Sequence, residues 1–163
     1  MIMKLLFSFG FVLFMSSNLD LQEVRKMYAV VAKSETDATE FITKMESISL
    51  NSNPTFVAYK GAATILKSKL EKKVAVKMSR FKEGAKLIEM AVANEPENIE
   101  IRLIRLSIQE NVPLIVGYRK NKKEDKTFIL SHYKEQSNSL MQYLKNFMVQ
   151  SKSFSEIEKQ TLK

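Results

Sequence analysis

The chain has 163 residues, of which 45% are hydrophobic and 27% charged, with a formal net charge of +8, the balance of a globular domain rather than of a disordered chain. Four glycines and three prolines are too few for the many tight turns of a β-sandwich or an α/β fold, but they suffice for long helices. With no cysteine and one histidine, the sequence excludes disulfides, thiol catalysis, iron–sulfur clusters, attached haem, thiolate zinc, lipoprotein anchors and zinc held by two or more histidines.

Residues 1–17 read as a signal peptide. Lys4 supplies a short positive start, Leu5 to Met15 is an apolar run broken only by Ser8 and Gly10, and Ser16 and Ser17 are small residues at a cleavage point. The run is several residues short of the roughly 20 needed to span a bilayer. As a core helix it would need burial on every side, because Phe7, Phe9, Phe11 and Phe14 point all round. The expectation is a processed chain over 18–163, one all-helical domain, periplasmic or secreted.

After the leader, apolar residues recur at helical spacing. Val24, Met27, Tyr28 and Val31 form one stripe, and Ala38, Phe41, Ile42 and Met45 form the next, with Ser34 to Asp37 as the connection. Asn53 and Pro54 mark a helix start by cap and first-turn proline. Two stripes follow: Phe56, Tyr59, Ala63, Leu66 and Leu70, then Val74, Met78, Phe81, Ala85, Ile88 and Val92. Each of these helices carries a glycine, Gly61 and Gly84, whose cost of about 1 kcal/mol against alanine is explained if it admits a neighbouring helix. Glu95 to Asn98 is a turn and cap. The helix after it is apolar on a wide surface, through Ile99, Ile101, Leu103, Ile104, Leu106 and Ile108, and is expected at the centre; Asn111 to Pro113 closes it. Val112 to Val116 is the one strand candidate, weakened by Pro113. Further helices are expected around Phe128 to Tyr133 and Leu140 to Met148, with Ser153 and Glu156 as a capping box before a last short helix.

Phe81, Gly84, Ile88, Ala91 and Pro96, with the turn Glu95-Pro96-Glu97-Asn98, resemble the second helix and exit turn of a tetratricopeptide repeat. The resemblance covers residues 81–98. Lys72, Ala75 and Arg102 stand where the repeat has glycine, tyrosine and a large aromatic residue. It implies an all-α fold of stacked antiparallel helical hairpins, with a concave groove for a peptide; the alternative is an irregular helical bundle. The run Asn98 to Pro113 is similar to a family of small, signal-bearing helical proteins of Bacteroidetes, which implies an envelope protein.

No catalytic constellation emerges. His132 stands one turn from Glu135, but di-iron bundles place glutamate before histidine and do so twice. A serine nucleophile would need that same histidine and has no Gly-x-Ser-x-Gly elbow, and no glycine cluster exists to cradle a phosphate. Carboxylates paired only in space stay open, with nothing to single out a pair. No cofactor is expected. Charge is uneven: nine basic residues lie between Lys60 and Lys86 against Glu71 and Glu83 alone. Lys67, Lys69, Lys72, Lys73, Lys77 and Arg80 are the candidate basic surface for an acidic partner or a lipid surface, or simply a solvated lysine-rich face. Nucleic acid is disfavoured for an exported chain without a reading motif. Arg102 and Arg105, on the most apolar helix, are expected to line a groove or to pair with Glu97, Glu100 or Gln109. The function expected is therefore an exported, non-enzymatic scaffold binding a peptide or envelope protein through a helical-repeat groove. The alternative is a bundle holding a small apolar ligand or lipid in a pocket made adaptable by methionine and phenylalanine.

Overall fold

The computed structural model describes residues 19–162, so the expected signal peptide lies outside the described residues. The protein is all-helical: α1 (Leu21–Val30), α2 (Glu35–Glu46), α3 (Pro54–Ser68), α4 (Val74–Asn94), α5 (Ile99–Asn111), α6 (Lys122–His132), α7 (Asn138–Gln150) and α8 (Glu156–Gln160). Short 3-10 turns cover Leu114–Val116 and Tyr133–Glu135.

Caps set most helix starts. Asp20, Ser34, Asn53 and Asn98 each accept a backbone N–H of the first turn, satisfying donors that have no partner within the helix. Three expectations are corrected. Ser34 is itself the cap of α2, so the connection ends there and Glu35 to Asp37 are helical. The capping box pairs Ser155 with Glu158, not Ser153 with Glu156, because Ser153 Oγ is committed to Glu110 Oε2 at 2.8 Å. Leu114 to Val116 form a turn of 3-10 helix instead of a strand, since the preceding proline cannot donate to a ladder.

The α3–α4 hairpin is the most closely packed pair, and its two glycines face each other. A Cβ on Gly61 would lie 2.6 Å from the carbonyl oxygen of Gly84, and one on Gly84 would lie 2.5 Å from the carbonyl oxygen of Gly61. Both contacts are to backbone, which cannot swing aside as a side-chain tip can. The helices cross where only glycine fits, with Ile65 and Ile88 packed over the crossing.

α5 runs back along α4 through the middle of the molecule. Ten of its thirteen residues are buried, and at 100° per residue its surface divides into four stripes. Ile101, Ile104, Ile108 and Val112 join the core made by α1 to α4, with Phe41, Met45, Tyr59, Phe81 and Ile88. Ile99, Leu103 and Leu106 belong to a second core with Ile129, Tyr133, Leu144, Met148, Phe154 and Leu162. Between these faces lie two polar stripes, Arg102–Arg105 toward α6 and Glu100–Ser107 toward α1. Each fully buried large aliphatic side chain contributes roughly 1.5–3 kcal/mol, and α5 supplies such side chains to both cores. Links such as Arg25 to Glu100 and Tyr59 to Tyr143 join elements far apart in sequence, more than the neighbour-to-neighbour packing of a repeat array requires.

The glycine crossing gives a direct test. Gly61→Ala and Gly84→Ala should each destabilise the protein by about 1–3 kcal/mol despite alanine's better helix propensity. The double variant should cost less than the sum, because the first methyl already parts the helices. Urea unfolding of the two single variants and the double reads both statements.

Candidate functional site

Both arginines of α5 turn inward. Arg105 is buried, and its Nε and Nη2 donate to the two carboxylate oxygens of Asp125, each at 2.7 Å. Its Nη1 donates to Glu89 Oε2 at 2.9 Å. Arg102 donates through Nε to the carbonyl of Pro96 at 2.6 Å, and through Nη1 to Glu124 at 2.8 Å and Asp125 at 3.0 Å. Its guanidinium also lies 4.4 Å from the centre of the Phe128 ring. The expected partners were different ones. Glu100 is taken by Arg25, and Gln109, fully buried, bonds neither arginine. Glu97, Glu100 and Gln109 are neighbours of the arginines along the chain, whereas Asp125 and Glu124 are brought to them by another helix, α6. Arg105 is buried, and its Nε, Nη1 and Nη2 all donate to the carboxylates of Asp125 and Glu89.

The opposite polar stripe holds a second buried carboxylate. Glu100 Oε1 accepts from Arg25 Nε at 2.8 Å and from the Tyr59 hydroxyl at 2.8 Å, while Oε2 accepts from Arg25 Nη2 at 2.6 Å. The Tyr59 hydroxyl also meets that of Tyr143 at 3.2 Å, and Tyr28 shares a hydrogen bond of 2.6 Å with Ser107. Tyr118 donates to Glu89 Oε1 at 2.7 Å. Burial pushes Tyr28 up to about 12 and holds Tyr59, Tyr118 and Tyr143 well above the usual phenol range. The hydrogen bonds that Tyr59 and Tyr118 make with Glu100 and Glu89 raise them further.

The basic stretch divides into two groups. Lys67 is engaged with Glu46 at 2.5 Å and Arg80 lies 2.9 Å from Glu71, so these two are neutralised locally. Lys69, Lys72, Lys73 and Lys77 are exposed and make no ion pair among the described residues. They sit on the α3–α4 turn and the start of α4. That start breaks the usual rules: Lys73 is the N-cap, with no side-chain capping bond and no acidic residue in the first turn, although the N-terminal end of a helix is its positive end. Leu70 and Val74, expected to face the core, are 57% and 77% exposed beside them, because α3 ends at Ser68 and α4 begins only at Val74.

A cleft of about 500 Å³ between α7 and α8 is lined by Gln142, Lys145, Asn146 and Glu156 among others, and a smaller one of about 170 Å³ lies where α2, α3 and α4 meet. The basic groups of the smaller one are occupied, Lys60 by the carbonyls of Glu46 and Ile48 and Lys67 by Glu46. His132 stacks on Phe128 with 4.2 Å between ring centres, and its Nδ1 lies 2.8 Å from the carbonyl of Phe128. Among the described residues no three histidine, aspartate or glutamate side chains are grouped to hold a metal ion, and no helix is long and apolar enough to cross a membrane.

What fold and site define together is an all-helical protein whose buried arginines are paired with carboxylates of neighbouring helices. Comparisons with protein-family models, with curated proteins and with solved structures gave no match to this chain.

Two measurements test this internal chemistry. Asp125→Ala should cost about 3–5 kcal/mol, because it leaves Arg105 buried without its bidentate partner. Glu124→Ala, at a side chain 56% exposed, should cost no more than about 1 kcal/mol. The alkaline limb follows from the tyrosines. A phenol whose folded pKa exceeds its unfolded value adds stability that is complete below about pH 10 and is lost as pH rises toward the folded value. In a protein without tryptophan, absorbance near 295 nm should show Tyr28, Tyr59, Tyr118 and Tyr143 ionising together with loss of helical circular dichroism. Smooth titration of all the tyrosines near pH 10 in a folded protein would contradict their burial.

Proposed function

We propose that this is an exported, non-enzymatic interaction protein that engages its partner through an outer surface, at the end where α3 turns into α4, rather than through an internal site. The observation that carries the reading is the contrast in how charge is used. Arg25, Arg102 and Arg105 are each satisfied by carboxylates within the fold, while Lys69, Lys72, Lys73 and Lys77 stand exposed at one turn. Positive charge concentrated without counter-charge is the footprint of a surface for an acidic partner. The groove expectation changes accordingly: the arginines build the scaffold and the lysines face outward. An apolar-ligand role gains little from the larger cleft, which is open to solvent rather than enclosed and has Val149 and Leu162 as its only wholly apolar lining residues.

The experiment compares the wild-type chain with Lys69→Glu/Lys72→Glu/Lys77→Glu as bait in an envelope fraction, read by mass spectrometry. The variant should keep its helical spectrum and melting temperature and lose what the wild type captures. Identical capture by the two, or none by either, counts against the reading. In the same preparation the captured chain should lack Met1 to Ser17; an intact Met1 on protein found only in the cytoplasm would remove the export half of the proposal.

A further inference from the structure

The exit loop of α5 reaches the first half of α4, the helix whose start carries the unpaired lysines. The antiparallel course of α4 and α5 is fixed at three levels: the Glu95–Asn98 turn joins them, Arg105 meets Glu89, and the Tyr118 ring packs edge-on against Phe81 with centres 5.9 Å apart. α5 therefore delivers its exit loop beside the first half of α4, toward the end from which Leu70 and Val74 project. That loop carries Leu114 and Ile115, 79% and 94% exposed. They are held out by a short, defined turn. Val116 N–H donates to the Pro113 carbonyl at 3.1 Å and Gly117 N–H to that of Leu114 at 3.0 Å, while Gly117 takes a φ of 73°, a backbone conformation glycine adopts without strain.

Large aliphatic side chains so exposed at the apex of an ordered turn have no use within the described fold. Val116 and Tyr118 of the same loop turn inward to the first core, so the loop is anchored and its tip is not. Basic residues outnumber acidic ones on the elements that meet here, with exposed Glu83 on α4 as the opposing charge. Lys69, Lys72, Lys73 and Lys77 lie on the α3–α4 side, and exposed Lys120 and Lys123 follow the loop. Three of the carboxylates nearest in sequence are paired with arginines, Glu71 with Arg80 and Glu124 and Asp125 with Arg102, while Glu110 accepts from the Ser151 and Ser153 hydroxyls and keeps its charge. The start of α4 adds the partial positive charge of a helix terminus that no side chain caps.

We propose that this end docks on an anionic lipid surface, with Leu114 and Ile115 entering the boundary between headgroups and acyl chains and the lysines resting on acidic headgroups. The choice of a bilayer over a protein follows from the chemistry of the contact. The charged groups are lysines, mobile point charges suited to a diffuse anionic plane, whereas arginine's rigid fork suits a defined carboxylate or phosphate. The apolar groups are separate protruding tips, which a fluid interface accommodates one at a time and a rigid partner would have to match with separate pockets. An apolar insertion combined with basic residues is also the pairing that stable peripheral binding requires. The proposal rests on the end-surface reading above and names its partner.

The test is co-sedimentation of the protein as recovered from the envelope with vesicles of phosphatidylcholine alone, or of equal parts phosphatidylglycerol and phosphatidylcholine. Binding is expected on the anionic vesicles only, weakening as salt is raised. Each lysine neutralised in Lys69→Gln/Lys72→Gln/Lys77→Gln should lower partitioning about fivefold. Leu114→Ser/Ile115→Ser should lower it roughly tenfold or more without changing the melting temperature, since neither side chain packs on the fold. Lys73→Asp separates function from folding. It supplies the missing cap and a charge that suits the helix end, so the melting temperature should rise while vesicle binding falls. Equal binding to neutral vesicles, undiminished binding by Leu114→Ser/Ile115→Ser, or undiminished binding by Lys73→Asp would each overturn the proposal. If vesicles are not bound at all while capture in the envelope still depends on the same lysines, the lipid assignment fails and the docking surface stands with a protein as its partner. If neither occurs, both fail.

Discussion

Arg105 and Asp125 meet inside the molecule through two hydrogen bonds of 2.7 Å, and the placement of the helices around α5 depends on that meeting. A charge taken out of water is tolerable only when its donors and acceptors are met in good geometry. Arg105 meets this requirement by reaching Asp125 on α6 and Glu89 on α4 together. Those bonds fix how α5 is rotated about its axis, which its apolar residues alone fix poorly because apolar contact is not directional. Once the rotation is set, Ile101, Ile104 and Ile108 fall toward α1–α4 and Leu103 and Leu106 toward α6 and α7.

Glu100 does the same work on the other side of the helix. It gathers Arg25 from α1 and Tyr59 from α3, and Tyr143 from α7 approaches through Tyr59. Four helices thus converge on one carboxylate. Its position in the first turn of α5 adds the favourable field of the helix terminus. The result is a molecule with two apolar cores and a polar seam on each side of the helix that separates them. The tyrosines of the α1 side can be that deep because each hydroxyl has a partner.

The start of α4 shows the opposite choice. Local rules ask for a capping side chain and acidic residues there, and the chain supplies Lys72, Lys73 and Lys77. The interior spends its arginines on internal pairs, while the turn leaves its lysines to solvent. Places where a chain departs from its own local preferences, in a fold otherwise consistent at every level, are where function is to be sought.

Much of the fold was legible in the residues. Periodicity located the long helices, Asn53-Pro54 and Asn98 marked starts, and the scarcity of turn residues excluded sheets. Gly61 and Gly84 announced a close approach, and the all-round apolar surface of Ile99 to Ile108 announced a central helix. These signals are local: they follow from the 3.6-residue turn and from what one side chain can do for the backbone beside it. Partners were not legible. That Arg105 would take Asp125 and not Glu100, or that two glycines more than twenty residues apart would face each other, depends on how separate helices are brought together, and no spacing along the chain encodes that uniquely. Leu70 and Val74 show the same limit from outside. Their spacing extends two apolar stripes, yet a turn of a few residues lifts both out of the core. The sequence by itself determined the helices, their caps and the surplus of charge between Lys60 and Lys86. Only the tertiary structure decided which charges cancel and which remain exposed, because cancellation needs two groups within hydrogen-bonding distance, and that distance is set by the packing of the whole.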